Sequence, residues 1–362
     1  LVVVAARLAG RARARRGLKE LRMTLDQAVA LSLLVDLPRV GLTERLKSRD
    51  PDLMARALPL LERARQVREL GARKGIHVVP WNDARFPTVL ASLTDLPPVL
   101  WYQGQLESAD APSVAVVGSR AASPAAKETA ARLGADLAAA GFTVVSGLAR
   151  GVDSAAHRGA LERGRTIAVL GSGLDRVYPA EHAPLARQVA ESGLVLSEFP
   201  PGTPPFPRHF PMRNRLISGL SLGVVVIEAS EKSGSLITAS CALEQGREVM
   251  AVPGSVLNGR NRGGHLLLRD GAKIVETADD IVQELGCGRR VVATGQGLLS
   301  RSGSMTSADP VLRVMEHGQA YDLDELACGS GLDLARLLPR LMDLELRGLV
   351  RRAGGGRFLR AS

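Results

Sequence analysis

Aromatic side chains are scarce in this 362-residue chain: six Phe, three Tyr and two Trp, or 3% of the total. Cysteine is scarcer still. Cys241, Cys287 and Cys328 stand more than 40 residues apart, with no CxxC pair and no His at metal-ligand spacing. That excludes a disulfide framework and a zinc site, and it fits a reducing compartment. No apolar run approaches the ~20 residues of a membrane-spanning helix, so a cytoplasmic protein with no membrane partner is expected. GxxxxGK[ST] is absent, which removes the usual triphosphate-hydrolysis loop. GxGxxG followed by a ribose-binding acid is absent as well, so no dinucleotide or other cofactor and no metal are expected. One absence is local: no Asp or Glu lies between Glu198 and Glu228. Arg208, His209, Arg213 and Arg215 therefore stand there unneutralised, among prolines and two of the few aromatics, Phe206 and Phe210. A solvated surface mixes its signs, and an acid-free basic segment points to an anion that arrives from outside.

The formal charge of +10 points less directly to nucleic acid than its size suggests. Residues 1–22 hold seven Arg or Lys against one acid, while the other 340 hold 40 bases and 36 acids. The body is only mildly basic, and any anion site must come from local patterning. In the tail, LVVVAARLAGRARARRGLKELR, the arginines follow the apolar run, the reverse of a secretory signal. Two readings stay open: a disordered basic arm, dispensable for specific binding, or a working protein that begins near Met23.

Six regions separate by pattern. After the tail, residues 23–80 carry apolar residues at helical spacing and predict a small helical (SAM/HhH-like) domain. Residues 81–112, rich in Pro and turn residues, predict a connector packed on its neighbours. From Ser113 to 285, short β-branched runs (SVAVVG, FTVVSG, TIAVLG, LVLSE, GVVVIEA, EVMAVPG, KIVET) alternate with helical segments. That alternation predicts an α/β fold: a Rossmann-like, doubly wound, mainly parallel sheet. Residues 286–306 have the Gly/Ser content of a linker. Residues 307–362 give three helical segments and a Gly-tipped hairpin in the order of a winged helix. Its arginines, 347, 351, 352, 357 and 360, make that hairpin basic, and DLDELA supplies a balancing acidic face. An accessory or partner-binding role is expected for it.

In a doubly wound sheet, ligands bind where strands end and helices begin, because helix N-termini there present free N–H groups and a positive dipole end. Three such junctions are decorated. In VAVVGSR, Gly118 permits close backbone approach, Ser119 offers a hydroxyl and Arg120 a planar fork. VVSGLARGVDSAAH brings Gly147, Arg150 and Gly151. IEASEKSGSLITAS brings Lys232, Ser233, Gly234 and Ser235 ahead of Thr238. A glycine after a buried strand is commonly just a turn. Three junctions together with the acid-free loop favour a phosphate site. No catalytic constellation emerges: Asp153 reads as a helix N-cap with a hydrogen-bonded His157, and Glu228 reads as the partner of an arginine. Ser172 lacks a partnered His and Asp.

The motifs VAVVGSR, VVSGLARGVDSAAHRGAL, GSGLDRVYP, LSEFPPGTPPFPRHFPMRNRLISGLS, EASEKSGSLITASCALEQGREVMAVPG and GGHLLLRDGA run in one order over residues 113–275. Together they resemble the DNA-processing protein A (DprA/Smf) family. The resemblance implies a non-enzymatic Rossmann-like core that binds single-stranded DNA and dimerises with a second copy through that core. It also implies loading of the RecA recombinase in natural transformation and recombination, with single-strand-binding protein as a further partner. Carried over by position, Ser119 and Arg120 match the family's GSR; Phe210, Arg213, Asn214 and Arg215 match FPxRNR; Ser233, Gly234, Ser235 and Thr238 match SGSLxTA. His182 and His265 stand where many members have Asn. Ala180 stands where members often have Lys, a role left open for Arg176. The cations of 206–221 would then face a phosphate backbone and a phenylalanine an unpaired base, while the other ring packs as core. The rival readings are a nucleotide-cleaving hydrolase using Glu228 or Asp153, and an adaptor whose sheet only dimerises.

Overall fold

The structure, a computed structural model, describes residues 23–34, 37 and 41–286, together with 310–315, 320–330, 332, 337, 340–341, 343–345, 349–353 and 357–360 of the C-terminal region. The tail 1–22, all but the first residue of the 286–306 linker and Arg347 lie outside the described residues. So do the side chains of Arg352, Arg357 and Arg360. The chain divides into two compact units, one on each side of residue 294.

The first unit is built on a nine-stranded sheet of order β1-β2-β6-β5-β4-β3-β7-β8-β9. These strands are β1 (His77–Pro80), β2 (Val99–Gly104), β3 (Ser113–Gly118), β4 (Thr143–Ser146), β5 (Thr166–Val169), β6 (Leu194–Ser197), β7 (Gly223–Ile227), β8 (Glu248–Ala251) and β9 (Lys273–Ile274). From β6 to β9 every pairing is parallel. Strands β3 to β7 are buried on both faces, which is why they read as continuous Val/Ile/Leu runs rather than alternating ones. The chain winds from β3 outward to β6, then returns to lay β7 on the other side of β3. The doubly wound expectation holds, and its topological switch point falls between β3 and β7.

Two strands were not read from the pattern. β1 and β2 pair antiparallel with each other, and β2 pairs antiparallel with β6, so the end of the region expected to be helical and the Pro-rich connector both contribute to the sheet. Trp81 and Trp101 anchor it, both fully buried. The helices Leu25–Ser32, Leu42–Lys47, Pro51–Ala57 and Leu61–Arg73 belong to the same unit, and the first and last of them pack on β1. Capping fixes where helices start. Thr24 and Gln27 form a capping box, and Asp50 accepts the amides of Asp52 and Leu53. Ser123 accepts the amide of Ala126, with Pro124 at the first helical position of Pro124–Ala139. No helix among the described residues is long and apolar enough to cross a membrane.

The second unit carries helices Pro310–Val314 and Leu323–Ser330 and a three-stranded antiparallel sheet. In that sheet Arg357–Arg360 lies between Ala320–Tyr321 and Val350–Ala353. Val311, Leu326, Leu341 and Phe358 are among its buried core residues.

Candidate functional site

The three junctions singled out in the sequence follow β4, β3 and β7, which are adjacent parallel strands, so their loops emerge side by side at one end of the sheet. Gly118 is required there. A Cβ would overlap the Ile227 carbonyl oxygen, and the next amide, Ser119 N–H, donates to Glu228 O at 2.9 Å. That close approach seals the switch point and delivers Arg120, exposed, at its rim. Gly151 has φ +80° and opens the Val152–Arg163 helix, and a Cβ on it would overlap the Ser119 carbonyl oxygen. The β3 and β4 loops therefore touch, with Val152 N–H donating to Ser119 O at 3.2 Å. Arg150, beside Gly151, is exposed and donates to Glu181 at 2.6 Å.

The acid-free loop leads into a helix that starts at His209, four residues earlier than the run RNRLISGLS suggests, and continues to Leu220. Pro211 sits in its first turn, where no amide is missed. This early start decides where the arginines point. Phe210 is half-buried beside the loop that follows β5, its ring 5.6 Å from that of Tyr178, with the Arg120 guanidinium 5.2 Å above it. Phe206 is 44% exposed, with Arg208 over its ring at 5.4 Å. Neither phenylalanine lies in the buried core, contrary to the expectation for one of them.

Arg213 and Arg215 fall in the second turn and are buried. Arg213 Nη1 donates to Gly147 O at 2.7 Å and to Val169 O, tying the β4 and β5 ends together. Burial lowers its pKa to about 10, against the charge of nearby Asp153. Arg215 turns the other way, to Asp95 and to Glu198, the latter at 2.7 Å. Asn214 Nδ2 donates to Gly234 O at 3.2 Å. Ser233 caps the Gly234–Glu244 helix through the Ser235 amide, and Ser235 and Thr238 are buried, while Lys232 is exposed.

Of the residues picked from the sequence, a cleft thus gathers Arg120, Arg150, Phe210 and Arg213, with Tyr178 and Pro179 as a wall. Gly118 and Ser119 support it from the β3 loop. Arg208, Asn214, Arg215, Lys232, Ser233, Gly234, Ser235 and Thr238 do not line it, and neither does Arg176. Tyr178 was missed. It lies 44% exposed in GSGLDRVYP, and the available signal was a rare aromatic in the loop after a central strand.

Two expectations about acids are corrected. Asp153 is not the N-cap, a position held by Gly151. It is the second residue of the helix, and its buried carboxylate accepts the amides of Gly147 and Ala149 at 3.1 and 3.4 Å. Burial raises its pKa, opposed by Arg213 and those amides. Glu228 does not chiefly pair with an arginine. Its carboxylate accepts the amide and hydroxyl of Ser123, and Arg260 approaches only to 4.0 Å.

His157 is hydrogen-bonded, as expected, through Nδ1 to Thr166 Oγ1 at 2.7 Å. That hydroxyl donates its own proton to Val144 O, so Nδ1 carries the hydrogen, and the buried Nε2, which has no partner among the described residues, is left unprotonated. Burial, reinforced by Arg213, lowers the pKa to about 3. The unfolded chain takes a proton near pH 6.5 and the folded one does not. His157 thus contributes stability that is complete above pH 6.5 and is lost as pH falls toward 3, by up to about 1.4 kcal/mol per pH unit. His157→Gln should flatten that acid slope in melts between pH 7 and pH ~5; an unchanged slope would mean that the imidazole titrates normally.

A doubly wound sheet with Arg120, Arg150 and Phe210 gathered over the ends of β3, β4 and β5 is a Rossmann-like core. A family model, DNA recombination-mediator protein A, matches residues 77–286, and a second, the DprA winged helix domain, matches 304–356. The chain belongs to the DprA/Smf family. It is 39% identical to Protein Smf of Escherichia coli over 77% of this chain and 76% of that one. The solved structure of DNA processing protein A from Streptococcus pneumoniae superposes with a TM-score of 0.58 at 38% identity, covering 74% of this chain and 96% of that one. DNA processing protein A from Helicobacter pylori, whose structure was described for its single-stranded DNA binding mode, gives 0.53 at 30% identity, covering 58% and 95%.

Proposed function

We propose that this chain binds single-stranded DNA at the β3–β4–β5 edge and hands it to the RecA recombinase during natural transformation and recombination in the cytoplasm. The observation that carries this reading is the half-buried Phe210 ring, which lines the cleft between Tyr178 and the Arg120 guanidinium. An unpaired base can stack on such a ring, and a fork beside it can take the adjoining phosphate. Arg213 serves this site from beneath by holding the β4 and β5 loops in register. Lys232 and the Ser233–Gly234–Ser235 turn extend the phosphate-facing edge past β7. The single-stranded DNA binding of the Helicobacter pylori relative supports the reading.

The two acids that a nucleotide-cleaving reading needs are engaged elsewhere, Asp153 with loop amides and Glu228 with Ser123, which favours binding over turnover. A second copy of the chain is proposed to dock at the β9 edge of the core, where Ile274 is 63% exposed. RecA and single-strand-binding protein are proposed as further partners on the strength of the family. The test is fluorescence anisotropy with the full chain on matched single-stranded and duplex DNA. Preference for the single strand is expected; equal affinity for both, or nucleotide turnover, would overturn the reading.

A further inference from the structure

A second and larger cleft, of about 520 Å³, lies across Arg120 and Arg150 from the Phe210 cleft, and those two arginines line both. Its far walls are the first two turns of two helices. Pro124–Ala139 contributes Lys127, Glu128 and Ala131; Val152–Arg163 contributes Ser154, Ala155 and Arg158. Both helices begin at the sheet edge that carries the Phe210 cleft, so their positive dipole ends face the same side. The lining holds four cations, Arg120, Lys127, Arg150 and Arg158, against the single carboxylate of Glu128. Arg150 is shared with Glu181. Lys127 and Arg158 are exposed, and among the described residues neither has an ion-pair partner. Ala131, Gly151 and Ala155 keep the floor low, which lets a sugar–phosphate backbone lie against it. Among the described residues no Phe, Tyr or Trp lines this cleft, in contrast to its neighbour; its one ring is the His182 imidazole, buried and bonded through Nδ1 to Leu148 O.

We infer that this cleft is a base-independent extension of the single-strand path, in which Lys127 and Arg158 hold phosphates of the strand after it leaves Phe210 over Arg120. The inference rests on the single-strand reading proposed above. A cleft with cations, a low floor and its only ring buried fits a sugar–phosphate backbone whose bases point to solvent. Each cation contacts a phosphate and reads no sequence. The extension therefore adds a fixed increment of affinity once a strand is long enough to reach it, whatever its composition.

The test pairs a short oligothymidylate of roughly five nucleotides, enough for the Phe210 cleft, with a long one of roughly twenty. The full chain carrying Lys127→Ala and Arg158→Ala together should bind the long strand about tenfold more weakly at 0.15 M salt, with a salt slope lower by roughly 1.4 for two lost contacts. It should bind the short strand as the parent does and melt as the parent does, since both side chains are exposed. Glu128→Gln should shift the long strand in the opposite direction, toward tighter binding. Lys127→Arg with Arg158→Lys should keep the long-strand affinity. Loss on both lengths would overturn the inference, because these cations would then belong to the primary cleft. Parent-like binding at both lengths would overturn it too. If Arg120→Ala still weakened both strands in that case, the primary reading would stand while the extension fell. If Arg120→Ala weakened neither, both would fall.

Discussion

Arg215→Ala should lower the melting temperature by about 10 °C, corresponding to roughly 3–5 kcal/mol for removing one partner of a buried ion pair. Arg215 joins three distant pieces of chain. Its guanidinium reaches Asp95 in the connector and Glu198 just past β6, whose side chain is 4% exposed. Its carbonyl accepts Gln245 Nε2 at 3.0 Å from the end of the Gly234–Glu244 helix. Truncation takes the guanidinium away from a carboxylate that has little access to water. Arg215→Lys should recover only part of the loss, because one ammonium cannot reproduce a planar fork held between two acids. At a temperature where the variant is folded, its single-strand affinity should stay nearly unchanged, since the side chain does not line the cleft. Normal melting with weakened binding would instead place Arg215 on the strand.

The partners of Arg215 lie beyond what the sequence pattern shows. The parallel strands were legible because double-sided burial demands continuous β-branched runs, and their junction glycines because loops after such strands come close together. β1 was hidden at the end of the helical region and β2 inside the Pro-rich stretch, since short antiparallel strands held by Trp81 and Trp101 leave no long pattern. The orientation of Arg213 was partly legible. It stands three, four and seven residues before Leu216, Ile217 and Leu220, on what proves to be the buried face. The FPxRNR motif drew attention to its charge and away from that spacing. The partners of Arg215 were not legible, because Asp95 and Glu198 come from remote segments that only the fold brings together. Likewise, Asp153 and Glu228 take loop and Ser123 donors that are adjacent only across strand ends.

The largest effect on binding is expected at Phe210 and Arg120. Phe210→Ala should weaken single-strand affinity by about 1–3 kcal/mol, the range for one base stacked on one aromatic ring, and by similar amounts for every base. Its salt slope should not move, because no charge is lost. Arg120→Ala should weaken binding as well and should lower the salt slope by roughly 0.7, the signature of one phosphate contact on a single strand. The two losses should not add. With the Arg120 guanidinium 5.2 Å from the Phe210 ring centroid, each side chain positions the other, and the double variant should lose less than the sum of the singles. Tyr178→Ala, acting from the opposite wall, should show a smaller loss with no change in slope. Anisotropy titrations across a salt series, with melting temperatures for each variant, separate the outcomes. If Phe210→Ala binds normally but melts early, the ring is a packing residue and the strand is held by cations alone. If Arg120→Ala leaves the salt slope unchanged, its fork orients Phe210 without touching phosphate.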